Sequence, residues 1–313
     1  MLPIEEVPAQ ATRFNNSRLD RVSPLNPDIQ NSIKQYTNLV FHLLNMGNLI
    51  GAFLYNFDAV FSRFSFKNCQ IEKRYQVITP WGEPASDEIM INALTTNLLA
   101  SAKSLVDYVQ KVTGDPKICN NDEWNERCNE INSFRKERYS VNFYYQLGYH
   151  LRNYSQHGFL PVHIIYVDNG KHKEPVFNLN QLLASGFFTG AFKEKLREYI
   201  KFVTDEYGDV CNLTYINAVF SYSTEIIDIS LKMLNLFEDF VKNSRSDVLE
   251  KLACFPEYFG EEPDQDYVFY KENENSKNIH IFNAKDTPYE SINLWRNNLI
   301  LRRAAMNNDA KGT

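Results

Sequence analysis

This chain of 313 residues lacks most of the short signatures that announce a chemistry. It contains no GxxxxGK(S/T), no GxGxxG, no HExxH and no GxSxG, so the phosphate loop, the dinucleotide turn, the zincin helix and the nucleophile elbow are all missing. Its five cysteines (Cys69, Cys119, Cys128, Cys211, Cys254) are odd in number, scattered and without a CxxC pair. Neither a zinc cluster nor a disulfide framework is expected from them. Glycine and proline number 12 each, too few for a collagenous or low-complexity chain. An excess of one charge is missing too. The 33 basic and 39 acidic residues leave a net charge of −6, which argues against a basic shell that grips nucleic acid, though not against a local basic site. What is present in quantity is apolar and aromatic material, 43% and 14% of the chain, enough for a packed core.

The first residues, Met1-Leu-Pro-Ile-Glu-Glu-Val-Pro8, place acids and prolines where a secretory leader would carry a basic start and an apolar run. The most apolar stretch, Leu39 to Phe61, includes His42, Asn45, Asn48, Asn56 and Asp58, which are costly in hydrocarbon. It reads as an amphipathic core helix rather than a membrane span. The expectation is a cytoplasmic protein with no membrane partner and no cofactor or metal.

Periodicity gives a mainly all-α chain. Residues 1–26 form an aperiodic arm, and a long helix follows from Pro27 to about Phe66, with weak points at Gly47 or Gly51. A loop spans Thr79–Pro84, after which Ser86 or Asp87 is a natural N-cap. Ile91, Leu94, Leu98, Ala102, Leu105, Val109 and Val112 then repeat at helical spacing until Gly114-Asp-Pro116. A polar stretch to Glu130 leads into a helix that runs to His157 and stops at Gly158, with Pro161 beyond. Val162–Val167 and Pro175–Phe177 read as a small hairpin, 180–184 and 192–207 as helix, and Leu213–Lys242 as a second strongly periodic helix. The region 244–313 is a mixed accessory segment: a short helix, weak strands near Tyr267–Tyr270 and Ile279–Phe282, a helix from about Tyr289 to Ala304, and a frayed end.

One segment carries chemistry. With Arg152 at 0° on a helical projection, Leu151, Leu147, Tyr144 and Tyr154 form an apolar stripe between about 200° and 280°. The other side holds Arg152, Tyr145, Gln156, Tyr149, Asn153, His157 and His150. A solvated face would be lysine and glutamate. This one is aromatic and rich in multivalent hydrogen-bonding groups, which suits an interface or a site. Asn153 and His157 are i, i+4 neighbours, and the free carbonyls of the last turn favour a cationic imidazole. Such a histidine beside an arginine could cleave a phosphodiester by proton transfer and charge stabilisation. Chance supplies about 0.3 Arg-x4-His pairs in a chain of this composition, so the surroundings, more than the spacing, give the pair its weight.

Arg152-Asn153-Tyr154-Ser155-Gln156-His157, at the end of a bundle helix, resembles the ribonuclease motif of the HEPN superfamily: an arginine, a polar residue, and a histidine four to six residues after the arginine. The helix of residues 89–112, with Asp107 near its end, is similar to the partner helix of such bundles. The resemblance implies an antiparallel HEPN-like helical domain over 27–243, with the hairpin at about 162–177 as an insertion. It implies a metal-independent endoribonuclease with a composite active site in a homodimer, an RNA substrate, and a toxin or anti-phage role with an antitoxin or defence-system partner. Arg152 would bind the scissile phosphate, Asn153 would orient the group, and His157 would act as acid or base. Tyr149, His150, Gln156, Tyr145 and Asp107 would support the site or the interface. The competing expectation is a catalytically silent helical dimer that uses the same face to bind a partner protein or a nucleotide.

Overall fold

The computed structural model describes residues 25–62, 64–65, 70–71, 86–119, 121–167, 172–207, 212–254, 267–271, 273–275, 279–283 and 288–309. Most of the N-terminal arm, the loop Thr79–Pro84, the hairpin tip at 168–171, Cys69, Cys211 and the last four residues lie outside that set.

The described chain is mainly helical. Its helices are α1 (Pro27–Phe61), α2 (Asp87–Thr113), α3 (Asp122–Val141), α4 (Phe143–Gln156), α5 (Leu179–Ala184), α6 (Gly190–Tyr207), α7 (Tyr215–Ala253) and α8 (Tyr289–Asp309). Three small antiparallel sheets accompany them. These are β1 (Phe64–Ser65) with β2 (Gln70–Ile71); β3 (Val162–Val167), β4 (His172–Asn178) and β5 (Asn212–Thr214) in that spatial order; and β6 (Tyr267–Lys271) with β7 (Ile279–Asn283). The expected hairpin is present, with Val162 opposite Phe177, and the three-residue β5 extends it into a sheet.

The chain divides into two compact units, and α1 and α7 each contribute residues to both. The smaller unit takes the described residues up to Phe41 together with Phe237–Glu290. Here Ile29, Ile33, Val248, Leu252 and Val268 are buried, and Tyr36 meets Phe282 edge-on at 5.7 Å. Ser32 Oγ donates to Asp247 Oδ2 at 2.5 Å, while Lys251 Nζ donates to both at 2.7 and 2.9 Å.

The larger unit comprises His42–Leu236 and Ser291–Thr313. Its core follows the periodic stripes. On α2, Ile91, Leu98, Ala102, Leu105, Val109 and Val112 are buried; on α7, so are Val219, Tyr222, Ile226, Ile229, Met233 and Leu236. Ser86 is the N-cap of α2, its Oγ accepting from Ile89 N–H at 3.2 Å. By length and composition alone, α1 and α2 are apolar enough to cross a membrane. In this unit α1 buries Leu43, Met46, Ile50, Phe53, Phe57 and Val60.

Two expectations change. α1 is not broken at Gly47 or Gly51 and ends at Phe61. Gly47 is needed for a close approach, because a Cβ there would lie 2.0 Å from the Trp295 ring of α8. The helix expected to run from about Glu130 to His157 is two helices, starting at Asp122 and interrupted at Asn142. Arg302 and Arg303 of α8 pair with Asp58 (2.7 Å) and Asp228 (3.1 Å), so they tie α8 to α1 and α7.

Candidate functional site

The site begins at the break between α3 and α4. Asn142 has extended backbone (φ −92°, ψ 109°), and its N–H closes α3 on Arg138 O at 3.0 Å. Its Oδ1 caps α4 by accepting from Tyr145 N–H at 3.0 Å, and its Nδ2 donates to Glu225 Oε1 of α7 at 2.7 Å. One side chain therefore ends one helix, starts the next and fastens both to a third. Arg138 Nε lies 3.5 Å from Glu225 Oε2. Burial pushes the Glu225 carboxyl up, while Asn142 and Arg138 pull it back in part.

Along α4, Leu147, Leu151 and Tyr154 are buried as the projection requires, and Tyr144 is half-buried. Gly148 lets α4 close onto α7: a Cβ would lie 2.3 Å from the Tyr222 ring. That contact corrects the placement of Tyr145. It is only 5% exposed, with its ring centroid 5.9 Å from that of Tyr222 and 6.0 Å from that of Tyr139, so it packs in the core rather than lying on an open polar face. The projection missed this because α3 and α7 cover a side of α4 that its own polarity marks as outer.

His150 is also packed in. Its ring stacks on Phe192 at 4.2 Å and 11°, Phe188 and Tyr149 approach edge-on, and Nε2 lies 3.3 Å from the Tyr139 hydroxyl. Burial lowers its pKa below the usual 6.5. Tyr149 is half-buried, with Lys103 Nζ 5.2 Å from its ring centroid. Asp107 forms an ion pair with that same Lys103 on the next turn of α2, not with Arg152. Gln156 is exposed.

Arg152 and Asn153 are brought together, with Nη1 donating to Asn153 Oδ1 at 3.1 Å. Arg152 is half-buried, and its Nε is buried without a hydrogen-bond partner. Its charge and that of Asp107 both reach the Tyr222 phenol, which burial holds above the ordinary tyrosine range. Arg138, Arg197, Arg302 and Arg303 each have a carboxylate within 3.5 Å. Arg152 forms no such ion pair among the described residues.

His157 is the C-cap of α4. Its N–H donates to Tyr154 O at 3.2 Å, and its exposed ring lies 5.1 Å from that of Phe187. Gly158 follows at φ +85°, where a side chain would be strained. Phe159 stacks on Tyr154 at 4.7 Å. Within one chain the Arg152 charge reaches Tyr222 of α7, while the His157 ring lies against Phe187 in the loop before α6. No hydrogen bond joins the two among the described residues. Compared with protein-family models, with curated proteins and with solved structures, the chain matches none.

Two residues that the sequence reading passed over hold this geometry. Gln146 is buried and donates its amide to Tyr139 O and to Ser140 O, binding α4 back onto the end of α3. Asn92, 1% exposed on α2, holds the backbone of Val162, five residues after His157. Neither breaks a hydrophobic period strongly enough to be noticed; a buried amide at a helix interface looks in sequence like any surface amide. Among the described residues, no three of His, Cys, Asp and Glu gather closely enough to hold a metal ion.

Proposed function

We propose that the chain is an endoribonuclease that needs no divalent ion and acts as a homodimer, with Arg152, Asn153 and His157 at its active site. The observation that carries this reading is the state of Arg152: a half-buried guanidinium that, among the described residues, hydrogen-bonds only to a neutral amide, has a buried Nε without a partner and has no carboxylate paired to it. A phosphodiester oxygen is the acceptor such a group lacks. His157, exposed at the end of the same helix, is free to exchange protons with a ribose.

In this mechanism His157 takes the proton from the 2′-hydroxyl, whose oxygen attacks the adjacent phosphorus. Arg152 stabilises the charge that builds on the phosphoryl oxygens. The 5′-oxygen leaves with a proton from a second histidine, that of the other protomer. The products are a 2′,3′-cyclic phosphate and a 5′-hydroxyl end. The HEPN-like motif is what links this chemistry to a toxin or anti-phage role.

A second reading is a silent helical dimer that binds a nucleotide or a partner protein. It is favoured by the separate surroundings of the two groups within one chain, Asn153 beside Arg152 and Phe187 beside His157, with no hydrogen bond between them among the described residues. Incubation with tRNA and total RNA in EDTA, using wild type, Arg152→Ala and His157→Ala, separates the two. Cleavage that persists in EDTA and disappears in both variants supports the nuclease. Absence of cleavage, or cleavage that survives both substitutions, removes it.

A further inference from the structure

The seam between α4 and α6 leads away from His157 to an open groove. Along it Phe187 meets His157, and Phe192 meets both His150 and Phe143. Phe143 stacks on Tyr199 at 4.2 Å and 9°. Beyond that pair lies a groove of about 370 Å³ lined by Val141, Phe143, Lys195, Glu198, Tyr199 and Phe202. Its volume falls within the range of small-molecule sites.

The lining is unusual for a solvated surface. Val141 is 69% exposed and Phe202 58%, so two apolar side chains stand open beside an aromatic floor. Lys195, Glu198, Tyr199 and Phe202 are spaced i, i+3, i+4 and i+7, which puts them on one face of α6. Lys195 Nζ is held over the end of α3 by donating to Ser140 O at 2.8 Å, leaving further N–H bonds to offer. Glu198 is exposed and has no cationic partner among the described residues.

This charge arrangement complements a nucleotide: a fixed ammonium for a phosphate, aromatic faces for a base, and a free carboxylate for a base edge that donates hydrogen bonds. Guanine presents two such donors side by side, N1–H and N2–H; adenine, cytosine and uracil each present fewer on that edge. We propose that the groove receives an unpaired guanine of the RNA substrate, stacked on Phe202 and Tyr199, with its Watson–Crick edge on Glu198 and a neighbouring phosphate on Lys195. The proposal rests on the ribonuclease reading for its strand. It makes that strand single-stranded, with the guanine about 20 Å along α4 from His157, fourteen residues at the helical rise.

The test is equilibrium binding of GMP, AMP, CMP and UMP to the full chain by calorimetry, repeated with Phe202→Ala and Glu198→Gln. GMP should bind about tenfold tighter than the others. Phe202→Ala should weaken every nucleotide by about tenfold, the scale of one lost base stack. Glu198→Gln should erase the preference for guanine. Four nucleotides bound equally by wild type and both variants, or not bound at all, would overturn the proposal. So would a change of oligomeric mass in Phe202→Ala, since the groove would then be covered by a second copy. The two readings fail separately. GMP binding without RNA cleavage leaves the groove and removes the nuclease. Cleavage whose positions ignore guanine and are unchanged by Glu198→Gln leaves the nuclease and removes the groove.

Discussion

Asn92 holds Val162 by both of its backbone groups: Oδ1 accepts the Val162 N–H at 2.9 Å, and Nδ2 donates to the Val162 carbonyl at 2.7 Å. The same Nδ2 donates to Glu88 O one turn back on α2 at 2.8 Å. The clamp fixes where β3 starts, and so the path of the few residues that connect it to His157.

Replacing Asn92 by alanine removes both bonds and leaves a buried N–H and C=O without partners. Each costs about 1–3 kcal/mol, so a loss of about 2–6 kcal/mol is expected in urea unfolding. Hydrogen exchange at Val162 should speed up in the variant. Unchanged protection there would contradict the clamp.

Asn142→Ala removes a cap worth about 1 kcal/mol and strips Glu225 of its amide donor. A larger loss than for an ordinary cap is expected. Asn142→Asp retains the cap but sets a second carboxylate against Glu225, so it should be more harmful at neutral pH than at pH 4. Equal stability losses for the two variants across that range would refute the pairing.

The packed His150 predicts an acid sensitivity. Its pKa lies below 6.5 in the folded chain, so below pH 6.5 the unfolded chain takes up a proton that the folded chain refuses. Stability from this group is present above pH 6.5 and lost as pH falls through that window. His42 is lowered too, by burial first and Lys111 second, and adds to the same slope. His150→Phe keeps a ring against Phe192 and removes one titration. Thermal unfolding between pH 7.5 and 5 should show a shallower decline for the variant than for wild type.

Gly47 and Gly51 sit one turn apart on α1 and should respond to alanine with opposite signs. A Cβ at Gly47 collides with Trp295, whereas one at Gly51 meets nothing within 4 Å. Gly47→Ala should cost about 1–3 kcal/mol by overpacking. Gly51→Ala should gain up to about 1 kcal/mol from helix propensity. Melting temperatures that move in the same direction would show that α8 does not rest on α1 as described.

His157→Ala should lower RNA cleavage by about 10²–10⁴-fold, the usual contribution of a general acid or base. Because the side chain is exposed, its melting temperature should stay that of wild type. Lost activity accompanied by lost stability would reassign His157 to the fold.

Much of the architecture was legible because it rests on local chemistry. Ser86, the stripe of α2 and Gly158 after α4 each act within one or two turns of chain. What was not legible depends on a neighbour. Asn142 ends a helix with no glycine or proline nearby, and its role emerges only when Glu225 of α7 stands opposite. Tyr145 shares a polar face with Arg152 in projection, yet Tyr222 buries it. β5 is three residues long and has no alternation to display; β4 supplies its reason to be extended. The hexapeptide from Arg152 to His157 was visible, but the periodicity of one helix cannot say which neighbours surround its first and last residues.

β3 lies at the rim of its three-stranded sheet, and a rim strand normally offers its outward amides to any extended chain that drifts past. At Val162 both of those groups are already taken by a side chain rather than a strand, so edge-to-edge growth is refused at the end of β3 nearest α4. In a protein proposed to work by self-pairing, this would keep the sheet from becoming a second, unwanted route to assembly and leave copy-to-copy recognition to helical surfaces.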